Sequence, residues 1–272
     1  MDFEEARDRF VQYTVLCAIS DDDVLRASLV LKGGNALDFV WQSNRSTADL
    51  DFSVDPASVD FQPSESTLTE RLTRGCQSVY EPLGTMLTVN RVRQRPPGAN
   101  RTFVTYEATI AYALPNEQHL QLRMRSGEKI ARALPIDISI NEPICAATSF
   151  PLDHERRLRV CTIDDIVAEK LRAILQQSIR NRTRRQDVLD IAVLLQGPTP
   201  PNAENVGIFL LAKAAARNVA VSKAAFHVPD VAERARIGYA DLAATTRTSF
   251  IPFDEALALV LSFVDRLPIP RE

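Results

Sequence analysis

The stretch LVLKGGNALDFVWQSNRSTADLDFSVD, residues 29–55, constrains this chain more than any other. An apolar run, Leu29-Val30-Leu31, stops at Gly33-Gly34, a pair that opens backbone conformations closed to other residues. Asn35 is placed to cap a helix whose apolar face is Ala36, Leu37, Val40 and Trp41. After a polar loop at 42–48 comes Asp49-Leu50-Asp51-Phe52. Read as a strand, its period of two sends Leu50 and Phe52 to a core and both carboxylates to the opposite face. Two adjacent carboxylates repel unless a cation lies between them, and oxygen-only ligands favour a hard ion, Mg²⁺ or Mn²⁺. A glycine turn at a helix N-terminus offers free N–H groups to phosphate. A D-x-D pair alone is usually a solvated strand edge, and a lone GG is usually just a turn. Their combination, with a short helix and Asn44-Arg45-Ser46 between them, points to a bound nucleotide.

A length of 272 residues suggests two domains of ordinary size. An apolar content of 45% with 25% charged residues is that of a soluble globular protein. The net charge of −3 argues against a general nucleic-acid coat, so any nucleic-acid contact has to come from a local patch. No apolar run approaches the length of a membrane span, and MDFEEARDRF is too charged for a signal peptide, so a cytoplasmic protein is expected. Cys17, Cys76, Cys145 and Cys161 lack C-x-x-C spacing and read as free thiols rather than a zinc site. The histidines stand alone and support neither a metal site nor a triad.

Residues 2–19 read as a helix with Phe3, Phe10 and Cys17 on one side, and Asp21-Asp22-Asp23 as the cap of a helix over 24–28. A helix is expected at 66–80, and strands at 86–92, 102–114, 119–125 and 133–140, with a hairpin turn at 95–100. Together they predict an α+β arrangement with about five strands. In the last strand Ile136, Ile138 and Ile140 face one way and Asp137 the other. An exposed strand position is the plain reading of that aspartate. Beside Asp49 and Asp51 it becomes the third carboxylate that a two-metal site requires.

From Thr162 the pattern turns helical. Thr162-Ile163-Asp164-Asp165 resembles a capping box, and Ile163, Ile166, Val167, Leu171, Ile174 and Leu175 form a 3.6-period stripe. Lys170 lies on that stripe, where a lysine either snorkels outward or reaches an anion. Arg180, Arg182, Arg184 and Arg185 make a local basic patch, either a solvated turn or a contact to a phosphate backbone. Asp187 and Asp190 share a helical face and are expected to pair with those arginines or with Lys170. Gly197-Pro198-Thr199-Pro200-Pro201 closes this segment as a hinge or boundary, and three further helices are expected at 205–218, 230–244 and 254–266.

Gly33-Gly34-Asn35 followed by Arg45-Ser46-x-x-Asp49-Leu50-Asp51 resembles the first motif of the polymerase-β-like nucleotidyltransferases. In the form K-G-G-x-A-L with R-S-x-x-D-L-D-F it is similar to the AbiEii/AbiGii toxins of abortive-infection, type IV toxin–antitoxin systems. Glu169-Lys170-Leu171-Arg172-Ala173, then arginines and Asp187-x-x-Asp190, is similar to that family's second half. Asn35 stands where the family usually has Ser or Thr, and Gln186 where it usually has a base.

The resemblance implies a nucleotidyltransferase domain with a mixed sheet flanked by helices over 1–160. It further implies a helical bundle domain over 161–272 that completes the cleft. It implies that Asp49, Asp51 and Asp137 hold Mg²⁺ or Mn²⁺, while Lys32, Gly33, Gly34, Asn35, Arg45 and Ser46 bind the nucleoside triphosphate. Lys170, with Asp187 and Asp190, would serve the same nucleotide, and Arg180, Arg182, Arg184 and Arg185 would hold an RNA acceptor, the tRNA 3′ end. A monomeric toxin whose antitoxin forms no stable complex with it is the expected form. Two other readings stay open: transfer to a protein side chain or small molecule, and a nucleotide-binding regulator without turnover.

Overall fold

A computed structural model describes residues 3–41, 49–57, 61–98, 103–246 and 250–272. Arg45 and Ser46 therefore lie outside the described residues. The chain forms two compact units. The first comprises residues 1–35, 47–142 and 148–160, and the second 36–46, 143–147 and 161–272.

The first unit carries α1 (Phe3–Asp21), α2 (Asp23–Ser28), β1 (Leu29–Lys32) and the start of α3 (Gly33–Trp41). There follow β2 (Leu50–Val54), α4 (Glu65–Ser78), α5 (Tyr80–Leu83), β3 (Met86–Arg95) and β4 (Thr105–Ala113). After α6 (Gln118–Arg125) come β5 (Ala133–Ser139), β6 (Ala147–Pro151) and β7 (Arg157–Cys161). The strands form a mixed sheet in the order β3-β4-β5-β2-β1-β7-β6. β2 runs parallel to β5 and β1 parallel to β7; the β1–β2, β3–β4 and β4–β5 pairs are antiparallel.

Alternation along the strands decides which face is core. Val92, Ala108, Ile136 and Leu50 stand side by side across four strands, and all are buried. The next buried row is Tyr106, Ile138, Phe52 and Leu31. α4 packs on β3, and α1 packs on α4. That approach is close: a Cβ on Gly75 would stand 2.1 Å from the Ala18 carbonyl oxygen, so α4 needs glycine there.

Several local expectations hold as drawn. Asp22 caps α2, its carboxylate accepting from the N–H groups of Val24 and Leu25 at 3.0 Å. Leu50 and Phe52 are fully buried. All four cysteines are free.

Others are corrected. Residues 119–125 form α6, not a strand. Its Gln, Leu, Met and Arg residues are good helix formers. Leu120 and Met124, four apart, meet one cluster with Ala111, Ala113, Ile130 and Met86, while Leu122 stays exposed. The expected five strands become seven, because β6 and β7 lack a readable pattern. β6 is almost wholly exposed, and β7 has only Leu158, Val160 and Cys161 turned inward. α1 is not one-sided: nearly every residue from Val11 to Ser20 is buried.

The second unit is helical: α7 (Ile163–Leu175), α8 (Gln177–Arg180), α9 (Arg185–Gln196), α10 (Ala203–Ala216), α11 (Lys223–Phe226), α12 (Pro229–Arg236) and α13 (Phe253–Val264). α7 packs on α10 and α9, and α9 on α13. The single helix expected over 230–244 divides at Gly238, beyond which Tyr239–Thr245 is a 3-10 turn. The capping box at Thr162 is half formed. Its hydroxyl accepts from the Asp165 N–H at 3.3 Å, but the Asp165 carboxylate turns away to Lys213 at 2.9 Å and to the N–H groups of Cys145 and Ala146. Residues 197–201 join α9 to α10 inside this unit, so they bound helices rather than units. No helix among the described residues is long and apolar enough to cross a membrane.

Candidate active site

The face of the sheet opposite the core carries a row of charged side chains. Lys32 on β1 pairs in register with Asp51 on β2, Asp51 with Asp137 on β5, Asp137 with Glu107 on β4, and Glu107 with Arg93 on β3. Register partners project to the same face. Asp49, exposed and one residue before β2, shares the phase of Asp51. The sheet therefore assembles Asp49, Asp51 and Asp137, which the chain separates by more than eighty residues, and adds Glu107 between them and the β3 edge.

Burial pushes the Asp51 carboxyl up to about 6, with the Asp49 charge adding to the rise, Lys32 opposing it, and Asp137 and Glu142 reinforcing it. Asp137 is raised as well, first by burial and then by Glu107 and Asp49. The cation beside Asp51 is already engaged: the Lys32 ammonium donates to the Glu142 carboxylate and, at 3.1 Å, to the Ser139 hydroxyl. Ser53 donates to the same Glu142 oxygen at 3.2 Å. Around Asp49, Asp51 and Asp137 the face thus carries more carboxylates than cations, the other cations lying at the β3 edge. Its all-oxygen donor set suits a hard divalent ion. Among the described residues no three acidic, histidine or cysteine side chains converge on a single point as metal ligands do. What fits a cation here is the pairing of the half-buried Asp51 and Asp137 carboxyls, raised first by burial and then by the neighbouring negative charges.

The glycine turn is tied to the same carboxylate. Gly33 opens α3 with φ +69°, and a Cβ there would lie 2.5 Å from an Asp51 carboxylate oxygen. Gly33 and Gly34 begin the helix and leave its first N–H groups without intrahelical acceptors. Asn35 corrects the expectation placed on it. It lies inside α3 rather than capping it, and its fully buried side-chain amide donates to the Asp49 carbonyl, tying the entry of β2 to the helix. A side chain so enclosed has no surface to offer a triphosphate. Gly33→Ala should cost about 1–2 kcal/mol for a Cβ in left-handed backbone and displace the Asp51 carboxylate. Melting and nucleotide transfer measured on one preparation should show at least a tenfold loss of transfer. Wild-type transfer would separate the turn from the site.

In the second unit, Lys170 is buried on α7, and its ammonium donates to Asp187 at 2.7 Å and to Asp190 at 2.8 Å. Burial acts to lower its pKa, but the two carboxylates outweigh burial and hold it raised. The four arginines do not act alike. Arg180 and Arg182 are exposed. Arg184 stands 3.7 Å from Asp187, and Arg185 donates to the Gly238 carbonyl and to Asp241 at 2.6 and 3.0 Å. Two residues escaped the sequence reading. Glu107 sits on the polar phase of an alternating strand, a visible signal with no hint of which strand lies beside it. Glu142 lies past the end of β5, where no local pattern marks it.

An α+β fold with a mixed sheet flanked by helices, bearing a D-x-D strand beside a third aspartate, defines the class, and solved structures agree on the fold. A protein from H. pylori described as a nucleotidyltransferase matches with a TM-score of 0.51 at 12% identity, covering 97% of this chain and 95% of that one. MenT4, a nucleotidyltransferase toxin of Mycobacterium tuberculosis H37Rv, matches with a TM-score of 0.54 at 15% identity, covering 96% and 82%. A comparison with curated protein sequences finds no match. Residues 14–259 match the family described as nucleotidyl transferase AbiEii toxin, type IV toxin–antitoxin system. The chain belongs to this family and is a nucleotidyltransferase toxin of the type IV class.

Proposed function

We propose that the chain transfers a nucleoside monophosphate from a nucleoside triphosphate to a hydroxyl of an RNA, the tRNA 3′ end. The bond from the α-phosphate to the β-phosphate bridging oxygen breaks, the acceptor oxygen takes the α-phosphorus, and pyrophosphate leaves. The single observation that carries this reading is the row formed by Asp51 and Asp137 with Asp49 at its end. Mg²⁺ or Mn²⁺ held by these three would acidify the hydroxyl and offset phosphate charge. With its carboxyl raised, Asp137 is also suited to accept the hydroxyl proton. The N–H groups at Gly33 and Gly34 cradle the triphosphate. Lys32 or Lys170 offsets the charge on the departing pyrophosphate. Arg180 and Arg182 hold RNA backbone. The protein acts in the cytoplasm as a monomer, and its antitoxin works without a stable complex.

Incubation with each labelled nucleoside triphosphate, total RNA and Mg²⁺ should place label at RNA 3′ ends and release pyrophosphate. Label on the protein or on a small molecule would move the acceptor to another class. Nucleotide binding with no turnover would make the chain a regulator.

A further inference from the structure

The charged row ends at β3, an edge strand, in cations that no described residue pairs with. Arg91 and Arg93 are exposed on the carboxylate-bearing face, and Lys129 stands exposed nearby. None of the three makes an ion pair or side-chain hydrogen bond with a described residue, in contrast to Arg95, which holds Glu107 at 3.1 Å. They line an open cavity of about 550 Å³ together with Asn90, Thr109 and an apolar wall of Ile130, Ala131 and Ala133. Thr109 is the register partner of Arg91 and lies two residues from Glu107, so the cavity opens on the same face as the aspartates.

We infer that this cavity is the docking site for the backbone of the RNA acceptor, with Arg91, Arg93 and Lys129 on its phosphates. The inference rests on the RNA reading above. Strand spacing of about 4.8 Å puts the β3 cations roughly 10 Å from Asp137 and roughly 14 Å from Asp51. That is a nucleotide or two from the reacting end. Charge fixes the direction: a phosphodiester chain is repelled from the carboxylate end of the row and held at the cationic end, so only its terminal hydroxyl need reach Asp137. Arg91 and Arg93 stand about 7 Å apart along the strand, a spacing that suits successive phosphates of an extended chain. Guanidinium groups fork onto phosphate oxygens in pairs. The site reads no bases, so it favours single-stranded RNA ends without regard to sequence.

The test is RNA binding by the full chain, with a labelled single-stranded 3′ end and with tRNA, across a salt series. The paired substitution Arg91→Gln with Arg93→Gln should weaken RNA binding at least tenfold near 0.1 M salt. It should also flatten the log–log salt slope by about 1.5, given about 0.7 per phosphate of a single strand. Nucleotide binding and melting temperature should stay at wild-type values. Arg91→Lys with Arg93→Lys should recover part of the affinity, which a role confined to shape would not allow. Unchanged RNA affinity in the Gln pair overturns the inference, and loss in Arg180→Gln with Arg182→Gln beside it leaves the RNA reading standing. A wild-type chain that binds no RNA and labels another acceptor overturns both.

Discussion

Asp51→Asn should abolish nucleotide transfer and at the same time make the protein more stable above pH 6. Both effects come from one carboxyl held at about 6 against an ordinary value of 3.8. Below 3.8 the group is protonated folded or unfolded. Between the two values the folded chain keeps a proton that the unfolded chain has released, so wild-type stability falls as pH rises through this window and stays reduced above it. Each pH unit of the difference is worth about 1.4 kcal/mol, so removing the charge should return on the order of 2–3 kcal/mol. For a chain of this size that is several degrees of melting temperature. Melting in chelator at pH 4 and pH 8 checks it: the mutant should gain at pH 8 and not at pH 4. Transfer should drop below a few per cent of wild type, because an amide neither holds a divalent ion as a carboxylate does nor completes the charge on this face. A mutant that loses stability at pH 8, or keeps substantial transfer, would remove Asp51 from the centre of the site.

Lys170→Met should lower both stability and transfer. Methionine keeps the length of the stem on α7, and packing alone would foresee a mild change. The structure overrules that view, since both buried carboxylates would lose the Lys170 ammonium, and Asp187 would keep the longer contact to Arg184 at 3.7 Å. Breaking a buried ion pair from one side costs about 3–5 kcal/mol, on the order of 10 °C in melting temperature. Adding Asp187→Asn and Asp190→Asn removes the two buried charges that Lys170 had offset and should recover most of the stability. Transfer should stay at least tenfold down in the triple mutant, since the ammonium proposed to face the pyrophosphate is still missing. If transfer recovers together with stability, Lys170 is a structural ion partner and has no part in the reaction.

What could be read in the chain was whatever repeats locally. The alternation of Leu50 and Phe52 around Asp51, and of Ile136 and Ile138 around Asp137, is set by the strand period and needs no partner to be seen. The cap at Asp22 and the apolar stripe of α7 are local in the same sense. Pairing is not local. Nothing near Glu107 says that β4 lies beside β5, and nothing near Asp165 says that its carboxylate goes to Lys213 rather than back to Thr162. Residues 119–125 alternate well enough for a strand, yet Leu120 and Met124 meet one cluster from a helix. Asn35 looked like a cap because helix starts favour it, but Gly33, free to take φ +69°, starts the helix two residues earlier.

β5 is the last strand to enter the middle of the sheet, slotting between β4 and β2, both of which precede it in the chain. A nascent polypeptide that ends before residue 137 therefore carries the D-x-D pair and the glycine turn but not the third aspartate, and its central sheet has a gap. Such a fragment cannot assemble the carboxylate face. If the three aspartates form the site proposed above, truncated or stalled products of this toxin lack it, and it exists only once distant strands have closed together. Long-range closure of this kind also slows folding, so the carboxylate face is among the later features to form.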